Sequence, residues 1–220
     1  MTALEDGYIK SLDDEIPTNE GKLPGYPQDD HVKNLVKISI LHGFEISSNY
    51  VFRYLATNNY SDNPKRFMDK LYMYKLGQAF DCDLEGLREP VLPSPDSKSW
   101  SSTDLGSVAI GYSVRETPLH TLTFYNAIAN GGKMMRPRFV KQVVKDGVVI
   151  KEFPPEVVKG HEQIAKPQTI KIMQTILEHV VSQGLGKKAG SPSFKVAGKT
   201  GTAQMSKGAA GYKSGTTNYL

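Results

Sequence analysis

Val196-Ala197-Gly198-Lys199-Thr200-Gly201-Thr202-Ala203-Gln204 is the stretch on which the reading of this chain turns. Within it, Lys199-Thr200-Gly201-Thr202 sets a cation, two hydroxyls and a residue without a side chain on what reads as an extended segment. Such a strip lets a substrate lie against the backbone while its carboxylate meets the lysine and the threonines. The bland reading is a basic sheet edge with turn residues, since exposed edges often carry lysine. Phe194 to Ala197 is expected to be a short strand running into the strip.

Upstream of this strip lies a series of helices. Ile38, Leu41 and Phe44 have helical spacing, and Tyr50, Val51, Tyr54 and Leu55 continue it after a break at Ser47-Ser48-Asn49. A third helix is expected over Pro64 to Lys75, capped by Asp62 or Asn63 with proline in the first turn. A fourth spans Pro118 to Asn130 and closes at Gly131-Gly132. Lys145-Asp146-Gly147 between two apolar runs marks a hairpin over 139–153. Pro167 opens a helix over 167–182, ended by Gly184 and Gly186. Residues 12–31 read as a surface excursion with little regular structure, and Leu84 to Thr103 as a long ordered or functional loop. Met1 to Asp6, stopped at Gly7, reads as the last turns of a helix.

Composition narrows the function class. The 220 residues carry 27 Lys and Arg against 23 Asp and Glu, a net charge of +4 without a basic stripe interleaved with aromatics. Nucleic-acid binding is therefore not expected. One cysteine, Cys82, excludes an internal disulfide and a cysteine-rich zinc site. No run approaches the roughly 18 apolar residues of a spanning helix. His31, after Asp29-Asp30, lacks a partner at ligand spacing and reads as a solvated surface residue; His42, His161 and His179 read as unpaired. No cofactor and no metal are expected.

Ser-x-Asn occurs twice, and the two copies separate by context. Ser61-Asp62-Asn63 precedes Pro64 and is explained as a helix cap. Ser47-Ser48-Asn49 lies between helices, where a hydroxyl and an amide can face a cleft, so Ser47 and Asn49 are the functional candidates. Together with Ile110-Gly111, Thr117-Pro118-Leu119, Ile128-Ala129-Asn130-Gly131-Gly132 and the stretch quoted first, these motifs resemble a class B penicillin-binding protein transpeptidase domain, of the serine β-lactamase and penicillin-binding superfamily, nearly end to end. Asn49 resembles the division-type enzymes more than the elongation type.

The resemblance implies an α+β fold: a partial β-lactamase/transpeptidase-like domain over 1–220 with a mainly helical 1–138, the hairpin, the 167–182 helix and an incomplete antiparallel sheet at 194–220. It implies acyl transfer from D-Ala-D-Ala stem peptides of peptidoglycan through an acyl-serine, and inhibition by β-lactams. Ser47 would relay a proton near the leaving group and Asn49 would hold the substrate amide. Lys199 would supply positive potential, Thr200 and Thr202 would bind the carboxylate, and Gly201 would admit the substrate to the strand. The Thr202 amide would form half of an oxyanion hole. The parent is expected on the extracytoplasmic face of the membrane, anchored by a segment outside this chain, among cell-wall synthesis or division proteins.

One departure limits the activity. No serine in the sequence has lysine three positions later; Ser97-Lys98 is adjacent and cannot present both groups on one helical face. The expectation is a domain truncated at both ends, with its nucleophile upstream of Met1, inactive alone. A non-catalytic module that binds stems or partners is the alternative. Glu116, in Glu116-Thr117-Pro118-Leu119-His120, has the chain order of a deacylating base, yet Thr117-Pro118 also makes a plain helix start, and His120 departs from the glutamine common there in the family.

Overall fold

The computed structural model describes residues 1–201, 203–206 and 212–218. In chain order the elements are α1 (Thr2–Glu5), β1 (Glu15–Pro17), β2 (Lys37–Ser39), α2 (Ile40–Glu45), α3 (Asn49–Tyr60), α4 (Pro64–Met73), α5 (Asp104–Ala109), α6 (Pro118–Ala129), β3 (Gln142–Lys145), β4 (Val148–Glu152), α7 (Pro167–Ser182), β5 (Ala203–Ser206) and β6 (Tyr212–Asn218). Among the described residues the strands form three antiparallel pairs, β1–β2, β3–β4 and β5–β6. The architecture is α+β, a helical body with small strand pairs around it.

Helix starts follow local chemistry. Pro64, Pro118 and Pro167 each sit in a first turn, where the missing N–H costs nothing. Asn63 caps α4 by accepting from the Arg66 amide at 3.3 Å, which accounts for the second Ser-x-Asn. The longest helix, α7, turns Ile170, Met173, Ile176, Leu177 and Val180 inward at helical spacing. The first four join Ala127 and Ile128 of α6 and Met134 in the main core. Each of these isoleucines and leucines contributes about 1.5–3 kcal/mol by leaving water. A second core holds α3, α4 and α5 together through Ala56, Tyr60, Phe67, Met68, Leu105 and Val108, with Trp100 packed against it.

Several expectations are corrected. The 12–31 excursion is structured: Ile16 pairs with Ile38, Thr18 and Val32 are fully buried, and the Tyr50 hydroxyl donates to the Pro17 carbonyl at 2.9 Å. Ile38 belongs to β2, because its backbone is paired with β1, and helix α2 begins only at Ile40. One-turn α5, too short to show a period, is hidden just after the Leu84 to Thr103 loop. Strand β3 begins at Gln142 and not Phe139, because the Asp83 carboxylate takes the Phe139 and Val140 amides at 3.0 and 2.7 Å. Phe194 to Ala197 is not a strand; Phe194 is exposed, and the Gly198 amide donates to the Leu177 carbonyl of α7 at 3.0 Å in place of a ladder partner. Lys199 to Gly201 likewise precede the strand, which starts at Ala203. Among the described residues no helix is long and apolar enough to cross a membrane.

Candidate active site

Ser47 owes its position to how α2 ends. The Ser47 amide donates to the Phe44 carbonyl at 3.1 Å and the Ser48 amide to the Gly43 carbonyl at 2.9 Å, the paired bonds of a Schellman turn. That turn demands left-handed backbone at Ser47, which has φ 54°, a place where glycine is usual. The turn is also tight against α3, since a Cβ on Gly43 would lie 2.7 Å from a Val51 methyl. Helix α3 then starts at once, with the Ser48 hydroxyl accepting from the Val51 amide at 3.2 Å. The two helices thus present Ser47 at a sharp corner.

Lys199 arrives from the other end of the chain. Helix α7 packs on α2, and its C-terminal turn is pinned there: the Leu185 amide donates to the Glu45 carbonyl at 2.9 Å, and Gly184 approaches so closely that a Cβ would lie 2.3 Å from that oxygen. With Gly198 bonded to Leu177, the following residue falls over the corner. The Lys199 ammonium donates to the Ser47 hydroxyl at 2.5 Å and to the Thr200 carbonyl at 3.2 Å, and it stands 5.8 Å from the Phe52 ring. Burial pushes its pKa down to about 8. A partly neutral amine touching a serine hydroxyl forms a pair that can pass a proton.

The remaining candidates are placed as follows. Asn49 is the first residue of α3, exposed and without a side-chain hydrogen bond among the described residues. Thr200 is half-buried beside Lys199 and Gly201 is exposed. Thr202 lies outside the described residues. Glu116 lines an apolar cavity of about 380 Å³ with Ala109, Val114 and Phe124, and burial raises its carboxyl to about 7. His120 is buried and structural. Its Nε2 donates to the Gln78 carbonyl at 3.0 Å, which leaves Nδ1 to accept from the Thr117 hydroxyl at 2.8 Å, and burial lowers its pKa.

Two carboxylates that sequence reading passed over hold the corner. Glu45 receives His42 Nδ1 at 2.9 Å and His179 Nδ1 at 3.1 Å; burial pushes this carboxyl up, but the two histidines carry it below the usual range. The His42 and Glu45 pair is legible as an i, i+3 neighbour, whereas His179 reaches it only through the packing of α7. These histidines are therefore not unpaired, and His161 is also held, by the Met73 and Lys159 carbonyls at 3.0 Å. Asp29 is the second carboxylate. It is buried and accepts from the Ser48 hydroxyl at 2.7 Å, the Tyr50 amide at 2.9 Å and the His31 amide at 3.0 Å. No local pattern announces it.

A helical α+β body that sets a Ser-x-Asn corner against a Lys-Thr-Gly strip defines a class, the penicillin-binding transpeptidases. The chain belongs to the family described as penicillin binding protein transpeptidase domain, whose model matches residues 1–219. It is 31% identical over 150 residues to penicillin-binding protein PbpB of Mycolicibacterium smegmatis, covering 64% of this chain and 22% of that protein. To PbpB of Mycobacterium tuberculosis it is 33% identical over 150 residues, covering 64% and 21%. The solved apo structure of penicillin-binding protein 3 from Mycobacterium tuberculosis matches with a TM-score of 0.80 and 28% identity, over 98% of this chain and 49% of that one. The chain thus spans about a fifth of its curated relatives and half of that solved chain.

Proposed function

We propose that this chain forms two walls of the catalytic cleft of a D-Ala-D-Ala transpeptidase that cross-links peptidoglycan stem peptides and is acylated by β-lactams. The observation that carries the reading is the 2.5 Å contact between Lys199 Nζ and Ser47 Oγ, made by residues 152 positions apart. A relative supports the β-lactam part, since penicillin-binding protein 3 of Mycobacterium tuberculosis was solved in complex with aztreonam at a TM-score of 0.79.

In this reading a seryl oxygen attacks the carbonyl between the two D-alanines and expels the terminal one. The amine of a second stem then attacks the acyl-serine and frees the seryl oxygen. Ser47, held by Lys199, relays the proton to the leaving amine, and Asn49 holds the substrate amide. Thr200 and Thr202 receive the carboxylate, Lys199 supplies the field that favours it, and the Thr202 amide stabilises the developing oxyanion. Gly201 leaves room for the stem against the backbone. The division-type character, the extracytoplasmic location and the membrane-bound division partners belong to the same proposal. The subtype rests on Asn49 and on relatives named PbpB and FtsI.

The 220 residues contain no Ser-x-x-Lys, so a polypeptide of this sequence alone is expected to form no covalent adduct. Incubation with a fluorescent penicillin and denaturing electrophoresis checks this, and a covalent band would overturn it. The complete gene product should give a band, formed about a hundredfold more slowly in Lys199→Ala, the scale of removing one preorganised group from an acyl-transfer site. A complete product that binds stem peptides at equilibrium and gives no band favours the non-catalytic module instead.

A further inference from the structure

We propose that Asp29 is a positioning residue of this site: its buried carboxylate fixes the Ser47 corner and so determines whether the Ser47 hydroxyl meets Lys199. The proposal rests on reading Ser47 and Lys199 as facing parts of one functional site. Asp29 touches neither of them. It acts on the two residues that follow Ser47 in the chain.

Left-handed backbone at a serine needs to be held from outside. On its upstream side the corner is held by the Schellman bonds to Phe44 and Gly43. On its downstream side the first residues are gripped by Asp29: one oxygen, Oδ2, accepts from both the Ser48 hydroxyl at 2.7 Å and the Tyr50 amide at 2.9 Å. Because the Ser48 hydroxyl donates to Asp29 while accepting from the Val51 amide, its rotamer is fixed in both directions. Ser48 is fully buried, so losing that acceptor strands an O–H with no water to turn to.

The loop that carries the carboxylate is itself pinned. The Asp29 amide donates to the Gly21 carbonyl at 2.9 Å, and a Cβ on Gly21, where φ is 76°, would lie 2.3 Å from the Asp29 carbonyl oxygen. Its other oxygen, Oδ1, is occupied by the His31 amide at 3.0 Å, with His31 Nδ1 at 3.4 Å. A loop that is distant in sequence from both catalytic motifs thus presents one carboxylate, aimed at the start of α3. A plain helix cap would satisfy α3 amides only. Here the cap itself, Ser48, is what the carboxylate grips.

The test reads Lys199 in the complete gene product, without requiring turnover. The rate at which Lys199 reacts with an amine-acylating reagent is followed against pH by peptide mass mapping. The wild type should show a midpoint near 8, set by burial. In Asp29→Ala both donors lose their acceptor, the corner shifts, and water reaches the ammonium. The midpoint should then rise by about one unit, a tenfold change in the free-amine ratio at pH 8. Ser48→Ala, which keeps the Tyr50 bond, should move it the same way by less. Ile170→Val, a core change in α7 that lowers stability without touching the corner, should leave it in place. A midpoint unmoved in Asp29→Ala, or in Ser48→Ala if the former does not fold, overturns the proposal. Labelling the same variants with fluorescent penicillin separates the two readings. A wild type that gives no band while the midpoint still shifts removes the transpeptidase assignment and leaves Asp29 as the residue that positions Ser47.

Discussion

Ser47 combines two demands that conflict in a single residue. Its backbone fills the left-handed position of a helix stop, where glycine is best, while its hydroxyl meets Lys199. In the proposed function the hydroxyl at this position therefore costs stability, about 1 kcal/mol for a side chain in left-handed backbone. Ser47→Gly and Ser47→Ala both delete the hydroxyl, but only glycine relieves the backbone. Ser47→Gly should be more stable than Ser47→Ala by about 1 kcal/mol, read from urea unfolding of the two variants side by side. Equal stabilities would mean that the turn is not strained. Lys199 carries a similar conflict in the proposed function, since its burial disfavours the positive charge that would draw a carboxylate to the threonines. The depressed pKa and the hydroxyl contact arise from the same enclosure.

At the scale of elements, the site depends on how closely α2, α3 and α7 approach. Gly43 is where α2 meets α3, and a side-chain carbon added there would lie within 2.8 Å of both Val51 methyls. Val51 is fully buried in a core with Tyr50 and Val32 and cannot swing into solvent. Gly43→Ala should therefore destabilise by about 1–3 kcal/mol, the range of overpacked sites, despite the better helix propensity of alanine. Chemical denaturation reads this, and a neutral result would show that the two helices can separate. The α2–α7 contact is of another kind, made by Glu45 through both its carboxylate and its carbonyl. By contrast, the β3–β4 hairpin is exposed along both strands and contributes nothing to the corner.

Across the whole molecule, the apolar cavity lined by Glu116 ties stability to pH. Its carboxyl is raised by burial from 4.5 to about 7, so between those values the folded state holds a proton that the unfolded chain has lost. The contribution is present below about 4.5 and is lost as pH rises through 7. Glu116→Gln cannot ionise and should be more stable than the wild type at pH 8 than it is at pH 4.5, by about 1 kcal/mol after allowing for the solvent that reaches this half-buried group. Urea midpoints of both proteins at the two pH values give the difference. A constant gap would mean that the carboxyl titrates as an exposed one. Such a result would also argue that the cavity admits water.

What the sequence determined is whatever short-range chemistry encodes. Pro64, Pro118 and Pro167 mark helix starts because a proline's missing N–H is harmless only there, and Asp146-Gly147 marks a hairpin because its turn needs positive φ at both residues. The Lys-Thr-Gly strip and the first Ser-x-Asn were legible as chemistry for the same reason. Extended segments were not. Ile38 has helical spacing yet pairs with Ile16, while Phe194 to Ala197 has the composition of a strand yet finds no ladder partner, since strand formation is decided by what lies alongside. Tertiary structure alone brought Lys199 onto Ser47, His179 onto Glu45 and Asp29 under Ser48, contacts spanning 152, 134 and 19 positions. A buried carboxylate is recognisable only by the donors that surround it, and those donors are gathered by packing and not by neighbours in the chain.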